Sequence, residues 1–118
     1  MRELWASDAP LATSWITLAE TSAAIAAAEC SRRLSRVATR AAVRTLEREW
    51  PAVTALTADG DVARRAAVLA IRHRLRGMDA IHLASAIPLL PARPVVVTFD
   101  RELARAARAE GLPVAGLA

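Results

Sequence analysis

Short β-branched runs alternate with alanine-rich helical stretches along this chain, and that alternation limits its fold more than any other feature. Val95–Thr98 predicts the clearest strand, because it is a continuous apolar run that follows a proline cluster. Val53–Leu56 predicts a second strand, and Leu11–Thr13 and Leu112–Leu117 predict two more. Strands that alternate with helices predict an α/β fold with a mostly parallel sheet.

Capping residues and helix breakers place the helices between these strands. Serine, threonine and aspartate side chains accept hydrogen bonds from first-turn N–H groups, while proline and glycine end helices. In chain order, the predicted helices are a short one over residues 1–8, one from Ser14 or Thr17 to about Cys30, one from Ser35 to Trp50–Pro51, one from Asp59–Asp61 to Gly77, one from Asp79 to about Ile87, and one from Asp100 to Gly111.

Length and composition predict one domain over residues 1–118, because 118 residues suffice for a single core. Charged residues interrupt every alanine-rich run, so no membrane span is predicted. No basic-then-apolar leader opens the chain, which favours a cytoplasmic protein. Cys30 is the only cysteine, so an internal disulfide is excluded, and we expect it to be a small buried apolar residue.

The positive charge is carried by arginine alone: all 16 basic residues are arginine, and the net charge is +4. Arginine matches phosphate oxygens two at a time, which makes Arg40 and Arg44 candidate RNA-binding residues. A solvated helix face explains the same residues without RNA, and an acidic antitoxin segment is another candidate partner for them. A nucleotide-composition bias of the gene explains the use of arginine without lysine. The two belong to a row of arginines at every fourth position, made up of Arg32, Arg36, Arg40, Arg44 and Arg48.

Three acidic residues lie where a site is expected. Asp100 follows the clearest strand, and ligands of open α/β sheets bind at the carboxyl ends of strands. Glu20 and Asp79 lie in otherwise apolar segments. Capping alone explains either aspartate, so each acid by itself is weak evidence. Three carboxylates in one cleft would instead indicate a magnesium site, because hard divalent cations take oxygen ligands.

The two histidines are weaker candidates. His82 follows Asp79 by three residues and could bind a metal or move protons, although a histidine on the partner-facing side of a small helix is more often structural. His73 lies between Arg72 and Arg74, which predicts a surface position.

Two segments closely resemble the C-terminal half of PIN-domain proteins, especially VapC-type toxins. They are RGMDAIHLASA over residues 76–86 and VVVTFDREL over residues 95–103. Upstream, SWITLAE over residues 14–20 is similar to the segment that carries the family's helix glutamate. The resemblance implies a three-layer α/β/α PIN-like fold and a magnesium- or manganese-dependent endoribonuclease, the toxin of a toxin–antitoxin pair. It also implies that Glu20, Asp79 and Asp100 are the catalytic, metal-binding acids, with Thr98 as the polar residue beside them.

One part of the family pattern is not found. Family members begin with a strand that ends in an aspartate, about 30 residues before the glutamate segment, and we expect this chain to lack it. Asp8 is no substitute, because it precedes Glu20 by only twelve residues and no apolar strand lies before it. The expectation is therefore a shortened domain with fewer metal ligands and weakened or lost activity.

Three functions stay open on this evidence. The first is the VapC-like endoribonuclease, with RNA as substrate and a cognate antitoxin as partner. The second is a catalytically inactive PIN-type protein that binds a protein partner. The third is a basic RNA-binding module. A homodimer is compatible with each of them.

Overall fold

The computed structural model describes residues 10–116, which group into an N-terminal unit of residues 10–56 and a C-terminal unit of residues 57–116. The helix predicted over residues 1–8, like Asp8 itself, lies outside the described residues. No helix among those described is long and apolar enough to cross a membrane. That residues 1–118 form a single domain stays a prediction.

The N-terminal unit pairs two strands in parallel and connects them through two helices. Its elements are β1 (Ala12–Ser14), α1 (Ile16–Cys30), α2 (Arg36–Glu49), a 3₁₀ turn (Trp50–Ala52) and β2 (Thr54–Leu56). Ala12 pairs with Thr54 and Ser14 with Leu56. The Trp15 N–H then donates to the Leu56 carbonyl at 3.0 Å and extends the ladder by one bond.

The predicted start of α2 is confirmed, whereas the predicted burial of Cys30 is wrong. Ser35 caps α2 by accepting a hydrogen bond from the Ala38 N–H at 3.1 Å. Cys30 is the last residue of α1 and is exposed, because α1 contributes no buried side chain. Burial of an alanine-rich helix depends on the elements around it, which its own composition does not reveal.

The C-terminal unit holds the buried apolar core. Its elements are α3 (Gly60–His73), α4 (Gly77–Ala86), a 3₁₀ segment (Ile87–Ala92), β3 (Val96–Val97), α5 (Arg101–Ala109) and β4 (Val114–Ala115). Strands β3 and β4 pair in parallel, so both strand pairs that the structure describes agree with the predicted parallel α/β fold. Small alanines of α4 and α5 let the backbones approach closely around five buried leucines. These are Leu69, Leu75, Leu83, Leu103 and Leu112.

Helix α3 ends earlier than predicted. Gly77 was the expected terminator, but the chain leaves the helix at Arg74, which adopts the left-handed conformation with φ of 54°. The Leu75 N–H donates to the Ala70 carbonyl at 3.1 Å, which closes the turn. Leu75 then enters the core, and its burial offsets the strain of a left-handed arginine. Gly77 instead begins α4.

His73 is buried rather than at the surface, because α5 supplies a carboxylate to it. Only 8% of the residue is exposed, and its Nε2 lies 3.0 Å from Glu110 Oε2. Arg72 donates to both oxygens of the same carboxylate, at 2.9 and 3.1 Å. The hydrogen bond from His73, more than any other cause, lowers the pKa of Glu110, and Arg72 lowers it further against the opposing effect of desolvation. This cluster ties the end of α3 to the end of α5.

The Glu110 cluster predicts a pH-dependent loss of stability. Because folding lowers the pKa of Glu110, its contribution is complete above the usual glutamate pKa of about 4.3 and disappears as the pH falls through the lowered value. We expect Glu110→Gln to reduce the unfolding free energy by about 1–3 kcal/mol at pH 7, since the buried His73 loses its charged partner. Urea denaturation at pH 7 and pH 3 measures both effects, and the loss should shrink at pH 3.

A matched control is Glu102→Gln, which breaks the exposed ion pair with Arg105. It should cost no more than about 0.5 kcal/mol at either pH. Equal costs for the two variants at pH 7, or an unchanged cost for Glu110→Gln at pH 3, would contradict the role of the cluster.

Candidate functional site

Asp100 lies at the carboxyl end of β3 and caps α5, as predicted. Its Oδ1 accepts a hydrogen bond from the Leu103 N–H at 2.9 Å, and its own N–H donates to Thr98 Oγ1 at 3.1 Å. Its other oxygen, Oδ2, has no hydrogen bond to the residues that the structure describes. One carboxylate oxygen is therefore fixed by the helix, and the second is left for another partner.

Thr98 is positioned by its backbone as well as by its hydroxyl. Its N–H donates to the Ala115 carbonyl at 3.1 Å, which extends the β3–β4 pairing beyond Val97. Gly116 packs so closely here that a Cβ would lie 2.7 Å from the Thr98 carbonyl oxygen, and its φ of 104° favours glycine as well. This close approach fixes the chain that leads into Asp100.

Asp79 lies in the first turn of α4, but it does not begin that helix as predicted. Helix α4 starts at Gly77, with Arg76 as its N-cap residue and no side-chain cap. Asp79 is therefore the third helical residue, where the positive end of the helix dipole favours a carboxylate. The side chain is half-buried, as is that of His82 one turn later.

Glu20 lies in the second turn of α1, in the N-terminal unit, and is half-buried. Asp79, Thr98 and Asp100 belong to the C-terminal unit. Across residues 10–116, no group of three or more histidine, cysteine, aspartate or glutamate side chains is close enough together to hold a metal ion. That Glu20 converges with the two aspartates stays a prediction.

The chemistry of the candidate donor atoms indicates which metal ions they suit. Three carboxylates and a threonine hydroxyl are all oxygen donors, which suit magnesium or manganese and do not suit softer metals. The open Oδ2 of Asp100 is the best-defined of these donors. The donor set therefore fits the cation that the sequence implies.

The predicted arginine row is exposed along α2. Four of its members lie on the helix at intervals of four residues, about 6 Å apart along the axis. Arg40 and Arg44 make no ion pair with any described residue, and Arg48 contacts only the hydroxyl of Thr45, at 3.4 Å. These guanidinium groups are open to an anionic partner.

Two exposed aromatic side chains at strand ends were not predicted as site residues. Phe99 precedes Asp100 and is 63% exposed, and Trp15 follows β1 and is 52% exposed. An aromatic residue within two residues of a strand's end, and one to five residues before an acid, is the sequence signal that would have indicated them.

Comparison with known proteins gives the chain a family context. A PIN-domain family model matches residues 1–109. Two Mycobacterium tuberculosis proteins, Ribonuclease VapC45 of strain CDC 1551 / Oshkosh and Ribonuclease VapC49 of strain ATCC 25618 / H37Rv, are each 36% identical to this chain over 112 residues. In both cases the match covers 95% of this chain and 78% of the relative. No solved structure matches the chain significantly.

Proposed function

This chain belongs to the PIN-domain family, and on that premise we propose that it is a metal-dependent endoribonuclease, the toxin of a VapC-type toxin–antitoxin pair. Similarity to two proteins named ribonucleases, over nearly the whole chain, supports RNA as the substrate. The observation that carries the proposal is the position of Asp100, which ends a parallel strand with one carboxylate oxygen uncommitted. The expected partner is a cognate antitoxin, and the expected site of action is the cytoplasm.

In this proposal Glu20, Asp79 and Asp100 hold a magnesium or manganese ion. When bound, such an ion activates water for attack on a phosphodiester and neutralises charge that develops on its oxygens. Hydrogen bonds within the chain orient the Asp100 side chain. The Leu103 N–H holds one oxygen of Asp100, so the carboxylate cannot rotate freely, and Thr98 holds the backbone of the same residue.

Arg40 and Arg44 bind the phosphates of the RNA in the same proposal. Their guanidinium groups are exposed and always charged, and they follow one another at about one helical turn. Contacts of this kind add affinity without reading sequence. The arginine row therefore keeps RNA on the protein but does not choose the bond that is cut.

A second candidate is a PIN-family protein that binds a protein partner without cleaving RNA. The exposed apolar side chains of Val68 and Ile71 on α3 favour it, because neighbouring apolar groups at a surface are typical of protein contacts. The cleavage experiment that follows distinguishes the two candidates.

Asp100→Asn should abolish metal-dependent cleavage and leave the fold and RNA binding nearly intact. Asparagine still caps a helix, so stability should change little, whereas Asp100→Ala should also lose about 1 kcal/mol of cap stabilisation. Loss of even an outer-shell partner lowers metal affinity about 10- to 100-fold, and loss of a direct ligand should reduce the cleavage rate by at least as much.

The measurement is cleavage of a labelled RNA with magnesium or manganese, with a chelator as the blank. Cleavage by Asp100→Asn at the wild-type rate would contradict the assigned role of Asp100. Absence of cleavage by the wild-type chain with either metal would reject the nuclease in favour of the second candidate.

Replacing Arg40 and Arg44 together by alanine should weaken RNA binding and flatten its salt dependence. Each phosphate contact to a single strand contributes about 0.7 to the slope of log K against log salt concentration, so the slope should fall by about 1.4. Fluorescence anisotropy across a salt series measures it. Arg64→Ala is the control, because Arg64 is exposed but paired with Asp61 in the other unit. Equal slopes for all three proteins would exclude contact between this row and RNA.

A further inference from the structure

We infer that Phe99 and Trp15 are base-stacking residues, each binding one unpaired nucleotide of the RNA, with Phe99 directly before the candidate metal-site acid Asp100. The inference rests on the proposed function, because it takes RNA as the ligand. It adds residues that bind the bases of the RNA, because neither the acids nor the arginine row can hold a base.

Phe99 is exposed at a position where exposure has a cost. Burying a phenylalanine side chain contributes about 1.5–3 kcal/mol, and a ring that is 63% exposed forgoes most of that gain. Exposed apolar residues scattered over a surface need no explanation. Phe99, however, is the chain's only phenylalanine and lies between Thr98 and Asp100, the two best-positioned residues of the candidate site.

The two residues that follow Phe99 complete a nucleotide-binding pattern. Asp100 follows directly, and after it comes Arg101, which is exposed and makes no ion pair with the described residues. An aromatic face binds a base by stacking, and a guanidinium binds the attached phosphate. Phe99 and Arg101 therefore offer both contacts on either side of an acid that is proposed to hold the metal. A protein partner would use the ring but gives no reason for this combination.

Trp15 is a second exposed aromatic residue at the end of a strand, in the N-terminal unit. It follows β1 directly, and its N–H is tied to the Leu56 carbonyl, so its backbone is fixed at the carboxyl end of the strand pair. Its ring lies 5.7 Å from that of Trp50 at an interplanar angle of 55°. The tilted contact supports the ring on one side, while 52% of the residue stays exposed. Glu20, the acid of this unit, lies five residues further along α1.

Each ring would bind RNA in a different way from the charged groups. Stacking on aromatic side chains tolerates any base and depends little on salt, whereas phosphate contacts are salt-dependent. We expect the metal-site acids and the arginines to contact the sugar-phosphate backbone of the RNA. We expect the two rings to bind bases that are not stacked in an RNA helix. Cleavage should accordingly favour single-stranded RNA.

The test is binding of a fluorescein-labelled single-stranded RNA of about ten nucleotides to the full chain, in a chelator so that no RNA is cleaved. Phe99→Ala and Trp15→Ala should each weaken binding about 5- to 150-fold, which corresponds to the 1–3 kcal/mol of one base–aromatic stack, with no change in the salt slope. Phe99→Leu should lose most of the same affinity although it keeps the apolar bulk, whereas Phe99→Trp and Trp15→Phe should retain it.

A matched oligonucleotide that lacks bases makes the test specific. The wild-type chain should bind it more weakly than the RNA, and Phe99→Ala should bind the two with more nearly equal affinity. Ile71→Ala is the control, since Ile71 is 83% exposed but lies on α3 and should not affect binding. Circular dichroism melting checks that each variant is folded.

The outcomes separate this inference from the proposed function. If Phe99→Leu and Trp15→Ala both bind and cleave RNA as well as the wild type does, the stacking role is overturned and the proposed nuclease is not. Equal losses of affinity for the RNA and the baseless oligonucleotide would overturn the stacking role as well. Base-dependent binding without cleavage in magnesium or manganese would overturn the nuclease and keep the stacking residues. Absence of any RNA binding would overturn both.

Discussion

The hydrogen bond from the Leu103 N–H to the Asp100 carboxylate joins the core of the C-terminal unit to its candidate site. Leu103 is buried among the leucines and alanines of the core, so the first turn of α5 cannot shift without disturbing that packing. Asp100 is fixed to the same turn, and Thr98 is fixed to β4 through Ala115. In the proposed metal site, a carboxylate held in this way would need little further ordering to bind a cation.

The charges of the chain divide into two groups with different tasks. The proposed metal site takes three acids from a chain whose net charge is +4. Carboxylates repel one another and repel RNA, so a divalent cation would give them a reason to share a site that RNA approaches. In the proposed function, the exposed arginines of α2 supply the attraction that the acids cannot. The uncharged rings of Phe99 and Trp15 add contacts to bases that neither charge provides.

Local signals in the sequence predicted three helix caps correctly, although Asp79 does not cap α4 as predicted. Ser35, Asp59 and Asp100 were each expected to cap a helix, and each accepts a hydrogen bond from a backbone N–H three residues later. Such a cap involves one turn of chain, so a short stretch of sequence determines it. The family resemblance was also predictable, because the segments around Asp79 and Asp100 carry it, and the match to the PIN-domain family confirms it.

Features that depend on distant residues were not predictable. His73 is buried because Glu110, 37 residues away, provides a carboxylate, and nothing next to His73 indicates it. The same long-range packing draws Leu75 into the core and ends α3 at a left-handed arginine instead of at Gly77. Convergence of Glu20 with Asp79 and Asp100 stays a prediction, because it too would depend on long-range packing, which no local signal in the sequence establishes.

The most direct test of the account is whether Glu20 and Asp100 bind the same ion. Manganese binding can be measured from the electron paramagnetic resonance signal of the free ion, for the wild type, Glu20→Gln, Asp100→Asn and the double variant. If both side chains bind one ion, each single substitution should lower the manganese affinity at least about 10-fold. The double variant should then lose less affinity than the two single losses multiplied together. Wild-type affinity in Glu20→Gln, or losses that simply add, would contradict a shared metal site.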